Sequence, residues 1–402
     1  MLFDDSYMQD PHTVLARLRE DEPVHHTVTP NGLKVWVVSR YEDVRAAFAD
    51  PRLSKDFAAN PGIFERNMIA TDGDRVLGAP AIQNLLNGHM ANSDPPDHTR
   101  LRKLVGQAFT MRRVEKLRPG VERVVDELLD RVAREREVDL VRALSLPLPL
   151  TVICDLLGVP QEDQEMFRVW VDDMLSTAQD DSVRNASGLA MAGYLQKLVA
   201  AKRENPADDM LTGLIEARDG SDRLREEELV PMVFLLLVAG HETTASMIGN
   251  GTLTMLKDPG LMARLRADPD LLPAAVEEFI RFEPPGTMAT FRFTAQDTTI
   301  GGVTIPADSF VLLSVGAANR DENRFPDPGE VDVSRSVSGH MSFGHGIHFC
   351  LGAPLARMEL AIVFRKLITR FPKLRLAVPA DQLRWRHSLF MHGLEALPVI
   401  AE

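Results

Sequence analysis

Apolar residues recur at three- and four-residue intervals along most of this chain and form short strand-like runs in only a few places. Pro11 to Glu20 carries Val14, Leu15 and Leu18 at helical spacing, and Tyr41 to Asp50 carries a helical pattern that Pro51 stops. The same periodicity predicts helices from about His98 to Phe109, Val121 to Glu137, Leu146 to Leu157, Glu162 to Thr177 and Ala186 to Arg203. Glu226 to Leu256 is the longest; Pro273 to Phe282 and a long helix after Gly352 follow. Strands are predicted at Lys34 to Ser39, Thr298 to Ile305 and Phe310 to Ser314, and Asn319 to Ser338 reads as an Asp- and Pro-rich loop. Residues 52 to 93 read as irregular, and a loop of that length is often functional. The expected class is mainly α with small antiparallel β-sheets, and no repeat or linker divides the chain.

Composition narrows the class. The 402 residues carry a net charge of −13, with 45% apolar and 26% charged residues. These are ordinary globular values, which exclude collagen-like, disordered and disulfide-scaffold chains. The acidic balance argues against a nucleic-acid partner or an anionic membrane surface. Two cysteines, Cys154 and Cys350, form no disulfide framework and fit a reducing cytoplasm. The start, Met1-Leu2-Phe3-Asp4-Asp5, is not that of a signal peptide. The longest apolar run, Met232 to Ala239, has eight residues, against about twenty for a membrane span. The expectation is a cytoplasmic protein that binds neither membrane nor nucleic acid.

Four segments carry candidate chemistry. In Phe343-Gly-His-Gly-Ile-His-Phe-Cys-Leu-Gly352, glycines bracket one cysteine just before a helix. A helix N-terminus stabilises a thiolate, as an iron ligand requires; a buried free cysteine in a turn is the other reading. Structural zinc is disfavoured, because it takes paired cysteines. Ala239-Gly-His-Glu-Thr-Thr244 places polar residues and a glycine inside the longest apolar helix, where each is costly unless it is satisfied or functional. A kinked helix with a satisfied threonine is the alternative. Glu278 and Arg281, at i and i+3, share a helix face and can pair, as they also do on any solvated helix. His98 and Arg102, at i and i+4, can grip one anion or simply form a solvated basic face.

The spacing Phe343-x-x-Gly346-x-x-x-Cys350-x-Gly352 resembles the cysteine-ligand loop of the cytochrome P-450 superfamily, the haem-thiolate monooxygenases. Glu278-x-x-Arg281, Ala239 to Thr244 and Asp94-Pro-Pro-Asp-His98 follow the order of that family's motifs, and the resemblance covers nearly the whole chain. It implies a P-450 fold, a triangular helical prism enclosing haem, over residues 1–402 as one domain. The β-rich part would lie roughly at 20–60 and 285–320. It implies haem b (iron protoporphyrin IX) with Cys350 as the metal ligand. Phe343, Gly344, Gly352 and Ala239 would lie against the haem, and His98, Arg102, Arg292 and His348 would hold its propionates. Gly240 would admit dioxygen to the backbone, and Glu242 and Thr243 would be the acid–alcohol pair that delivers protons. Glu278 and Arg281 would form a structural triad with Arg335.

The closest look is to soluble actinobacterial members that hydroxylate or epoxidise macrolides and other natural products. Steroid, secosteroid and terpenoid hydroxylases are the alternative within the family. A haem sensor or carrier is the alternative outside it, and would have no use for Glu242 and Thr243. No reductase segment is visible, so electrons would come from a separate ferredoxin and its reductase, with Arg102, Lys103, Arg112 and Arg113 as a local basic patch. A small apolar substrate would meet residues 60–93 and 165–200, Val238, Met288 to Thr290 and Leu389 to Met391.

Overall fold

The protein is described by a computed structural model covering residues 2–69, 85, 88–175, 180–218 and 220–402. Five helices frame the candidate site: α1 (Asp97–Ala108), α2 (Met111–Val132), α3 (Glu226–Lys257), α4 (Leu272–Phe282) and α5 (Ala353–Arg370). The axis of the helical part is α3, whose Met232, Val233, Leu237 and Ile248 are fully buried. It packs against the Pro147–Leu157 helix on one side and against α4 and α5 on others, and α5 in turn packs on α2. Among the described residues α3 is the one helix long and apolar enough to cross a membrane, and that apolar stretch is mostly buried in the core.

Most predicted helices are present within a few residues. The largest difference is α2, expected from Val121 to Glu137 but running from Met111 through Pro119 to Val132. Val114, Val121, Val125, Leu128 and Val132 keep one apolar face along it, and burying that face outweighs the hydrogen bond lost at the proline. Helices at Met210–Glu216 and Pro259–Ala267 were not foreseen. The Glu162–Thr177 prediction corresponds to Gln164–Leu175, its end lying outside the described residues. Of the irregular stretch at 52–93, residues 70–84 and 86–87 lie outside the described residues. Its described part holds a two-residue strand and short helical turns at Phe57–Ala59, Ile63–Asn67 and Met90–Asn92.

The main sheet has five strands: β1 (Val24–Val28), β2 (Lys34–Val38), β3 (Leu53–Ser54), β4 (Arg292–Thr294) and β5 (Phe310–Leu313). They lie in the order β1-β2-β5-β4-β3. The sheet is mixed, not antiparallel as expected, because β2 and β5 pair in parallel, Val35 opposite Phe310 and Val38 opposite Leu313. All four residues of β5 are buried, as suits the central strand of a covered sheet. The predicted Thr298–Ile305 strand is a hairpin, Thr298–Ile300 with Val303–Ile305. The sheet brings residues near 55 and 290 beside the loop that carries Cys350.

Candidate active site

The cysteine loop is held from behind by buried polar contacts. Arg281 and Glu278 are both fully buried and share two bonds of 2.7 Å. Arg281 also donates to the carbonyls of Asn319, Pro328 and Glu330 at 3.0, 3.0 and 3.2 Å. Arg335 completes the group with Nε 3.4 Å from Glu278 Oε1. This fixes the 319–335 loop on α4, and Asn319 then accepts the Met341 N–H at 2.6 Å and donates to Ser342 at 2.8 Å. Glu277 ties α4 to α5 and to the loop, bonding Arg357 at 2.5 and 2.9 Å and His340 at 3.1 Å. The Arg357 guanidinium lies 4.4 Å from the centroid of the Phe343 ring.

The loop then turns back on itself. Cys350 N–H donates to Phe343 O at 2.8 Å. Gly344 and Gly346 have φ of +73° and +74°, a region costly for other residues, and a Cβ on Gly346 would stand 3.2 Å from Phe48 O. Gly352 follows the cysteine and precedes α5. Cys350 is exposed as a residue, yet its thiol lies deep enough that desolvation pushes it up. The N–H of Gly352, the charge of Arg102, the N–H of Ala353 and the charge of Arg357 oppose that push. Cys154, by contrast, is buried, and burial raises its thiol to about 12. Of the two cysteines, only Cys350 has the donors and positive neighbours that suit a thiolate metal ligand.

Beside the loop stands a cluster of cations. The His98 and His348 rings lie 4.2 Å apart, and Arg102 donates to Phe349 O at 2.7 Å. Arg292 is buried, with its guanidinium 4.9 Å from the Phe48 ring centroid. The four predicted anion-binding residues are therefore brought together. Lys55 and His89 join them and were not foreseen, since nothing in the local sequence distinguishes them. Burial, reinforced by positive neighbours, lowers His348 to about 2 and His89 to about 4. Burial alone lowers Arg292 to about 10, against the pull of Asp94. The Nδ1 atoms of His89 and His98 are buried without a hydrogen-bond partner among the described residues. Among the described residues, this many basic groups with Asp94 as the one acid beside them fit a doubly anionic group. Together with the Cys350 donor set they fit haem.

On α3, Leu235, Val238, Ala239 and Thr243 are accessible while their neighbours are buried, which puts one open stripe on a core helix. Thr243 Oγ1 donates to Ala239 O at 2.7 Å. A Cβ on Gly240 would stand 3.1 Å from Ile153 Cδ1, so this glycine also lets α3 approach the Pro147–Leu157 helix. Glu242 is buried, and its Oε2 pairs with Arg386 at 2.5 Å. Its Oε1 has no hydrogen-bond partner among the described residues. Glu242 and Thr243 thus do not bond each other, and Arg386, distant in sequence, is a partner that sequence reasoning missed. Phe390, in the predicted wall Leu389 to Met391, lies edge-on at 5.0 Å to Phe291, the residue after the predicted wall Met288 to Thr290. Arg113 does not join a surface patch: it donates to Ala108 O at 3.3 Å and packs over Gly213.

Residues 53–384 match the family model described as Cytochrome P450, and the chain belongs to that family. It is a haem-thiolate monooxygenase, an oxidoreductase whose cofactor is iron protoporphyrin IX and whose activity needs O2, an organic substrate and an electron donor. It is 50% identical over 99% of its length to Cytochrome P450 107B1 of Saccharopolyspora erythraea, covering 97% of that protein. It is 44% identical over 99% of its length to Vitamin D(3) 25-hydroxylase of Pseudonocardia autotrophica, covering 95%. Among solved structures, the tirandamycin C-bound P450 monooxygenase TamI superposes with a TM-score of 0.90 at 48% identity, covering 99% of each chain.

Proposed function

We propose that this monooxygenase hydroxylates or epoxidises a bulky apolar natural product of the macrolide or polyketide kind, with Cys350 as the iron ligand. The carrying observation is Cys350 itself, an accessible cysteine whose sulfur faces two N–H groups and two arginines at the start of α5. Bound haem would supply the reductive activation of O2, and hydroxylation balances as R–H, O2, two electrons and two protons giving R–OH and water. The electron donor is read as a ferredoxin with its reductase, the compartment as cytoplasmic, and the 402 residues as one domain.

The residues divide the work. His98, Arg102, Arg292 and His348 would neutralise the propionates, by charge-assisted hydrogen bonds worth about 1.5–3 kcal/mol each. Phe343, Gly344 and Gly352 would shape the side that presents the sulfur. Ala239 and Gly240 would face the oxygen side. Thr243 Oγ1, which donates its hydrogen bond to Ala239 O, would accept or pass a proton, with Glu242 as the acid behind it. The stripe on α3 and the Phe291–Phe390 contact supply apolar walls. The relative named for vitamin D3 supports a secosteroid as the second substrate reading.

The test is the absorption spectrum of the reduced, carbon-monoxide-bound protein. A strongly red-shifted Soret band in wild type, lost in Cys350→Ala, is expected. A band at the position of histidine-ligated haem would overturn the assignment. Spin-state titration with a macrolide and with vitamin D3 then separates the two substrate readings.

A further inference from the structure

We propose that Lys55 is an additional ligand for a haem carboxylate, gripping one propionate together with Arg292. This rests on the haem-binding reading above. Strands β3 and β4 pair antiparallel, Leu53 opposite Thr294 and Ser54 opposite Phe293. One step further along the same register, Lys55 comes opposite Arg292. Both are buried. Like charges directly across a ladder destabilise it, and a buried charge needs a countercharge.

Among the described residues, one carboxylate, that of Asp94, acts on these two cations. Among the described residues the Lys55 ammonium has one hydrogen-bond acceptor, the uncharged hydroxyl of Thr290 at 2.5 Å. Asp94, the carboxylate whose charge reaches both cations, is committed to the backbone beside them. It accepts from the Ser54 hydroxyl at 2.5 Å and from the Lys55 N–H at 3.2 and 3.3 Å. The Lys55 ammonium reaches Thr290, two residues before Arg292, while the Lys55 backbone continues the register that faces Arg292. An ammonium, a guanidinium and a hydroxyl therefore converge on one spot next to His98 and His348, the chemistry of a carboxylate site. A carboxylate of the substrate is the other possible source of that anion.

Haem transfer from the holoenzyme to excess apomyoglobin tests this, together with the reduction potential of the iron. Lys55→Met is expected to release haem about tenfold faster or more, as loss of one charge-assisted hydrogen bond would give, and to lower the potential. Lys55→Arg, which keeps the charge, is expected to restore most of both. If Lys55→Met yields no holoprotein, Lys55→Gln keeps a donor for Thr290 without the charge and reads the same loss. Wild-type transfer rate and potential in the uncharged variants would overturn the proposal. So would a loss confined to spin-state binding of myristate, which would assign Lys55 to an acidic substrate. A wild-type protein with no haem Soret band at all would instead overturn the haem-binding reading itself.

Discussion

Replacing Arg281 with Met tests whether the buried ion group behind the cysteine loop acts as one unit. The arginine is fully buried and gives two 2.7 Å bonds to Glu278 and one each to three backbone carbonyls. In Arg281→Met the Glu278 carboxylate keeps the Asp332 N–H at 2.9 Å and Arg335 Nε at 3.4 Å. Three carbonyls are left without this donor, at about 1–3 kcal/mol each. The low end of that range already reaches the roughly 3–5 kcal/mol seen when one partner of a buried pair is removed. Glu278→Met strands the opposite charge and should cost a similar amount. In the double variant Glu278→Met/Arg281→Met no uncompensated pair charge remains, so its loss should fall well short of the sum of the singles. Urea unfolding followed by helical circular dichroism measures the three. Additive losses would refute the idea that pairing dominates, and a mild Arg281→Met single, below about 1 kcal/mol, would refute the burial argument outright.

Three further outcomes are expected. Gly251→Ala should destabilise, because its Cβ would stand 2.4 Å from Phe364 Cζ and overpacking costs about 1–3 kcal/mol, whereas Gly249→Ala, with its nearest neighbour 3.9 Å away, should gain up to about 1 kcal/mol of helix propensity in the same urea titration. Burial pushes the Glu277 carboxyl up, but Arg357 and His340 outweigh it and hold it at about 2, below its ordinary 4.5. Its stabilisation, on the order of 2 kcal/mol, is therefore present above pH 4.5 and lost as pH falls toward 2, so the stability gap between wild type and Glu277→Gln should narrow below pH 4.5. Thr243→Ala should keep haem and substrate binding while electrons go to hydrogen peroxide, measured as product formed per NADPH consumed; unchanged coupling would remove Thr243 from proton delivery.

What could be read along the chain was what is local. Helix α3 was legible from its long apolar periodicity, and the cysteine loop from glycines that the positive φ of Gly344 and Gly346 requires. What could not be read was decided by distant partners. Strand β1 reads Val-His-His-Thr-Val, too polar to stand out, and it forms because Val24 to Val28 pair with β2 in a single register. The β2–β5 pair joins segments far apart in the chain, and alternation of apolar residues carries no information about strand direction. Lys55 looked like any surface lysine until β3 paired with β4 and buried it opposite Arg292.

The same logic explains the polar residues of α3. A glutamate, an asparagine and several hydroxyls in a buried helix contradict its apolar pattern, and the structure accommodates them in more than one way. Thr254 and Thr243 return their protons to carbonyls one turn back, at 2.8 and 2.7 Å, and Asn250 donates to His392 O at 2.8 Å. The threonine bonds are local, and for Thr254 that is a complete account, whereas Asn250 reaches across the fold and its Oδ1 has no hydrogen-bond partner among the described residues. Glu242 is different, because its countercharge comes from the far end of the chain and one of its oxygens has no hydrogen-bond partner among the described residues. A carboxylate placed only for stability would be an inefficient choice there, since an apolar residue of similar size is usually neutral or better at a buried site. Arg386→Met should therefore lower product formed per NADPH while leaving haem retention unchanged, and Arg386→Lys should recover part of the coupling. Equal coupling in all three proteins would show that Glu242 needs no partner to do its work.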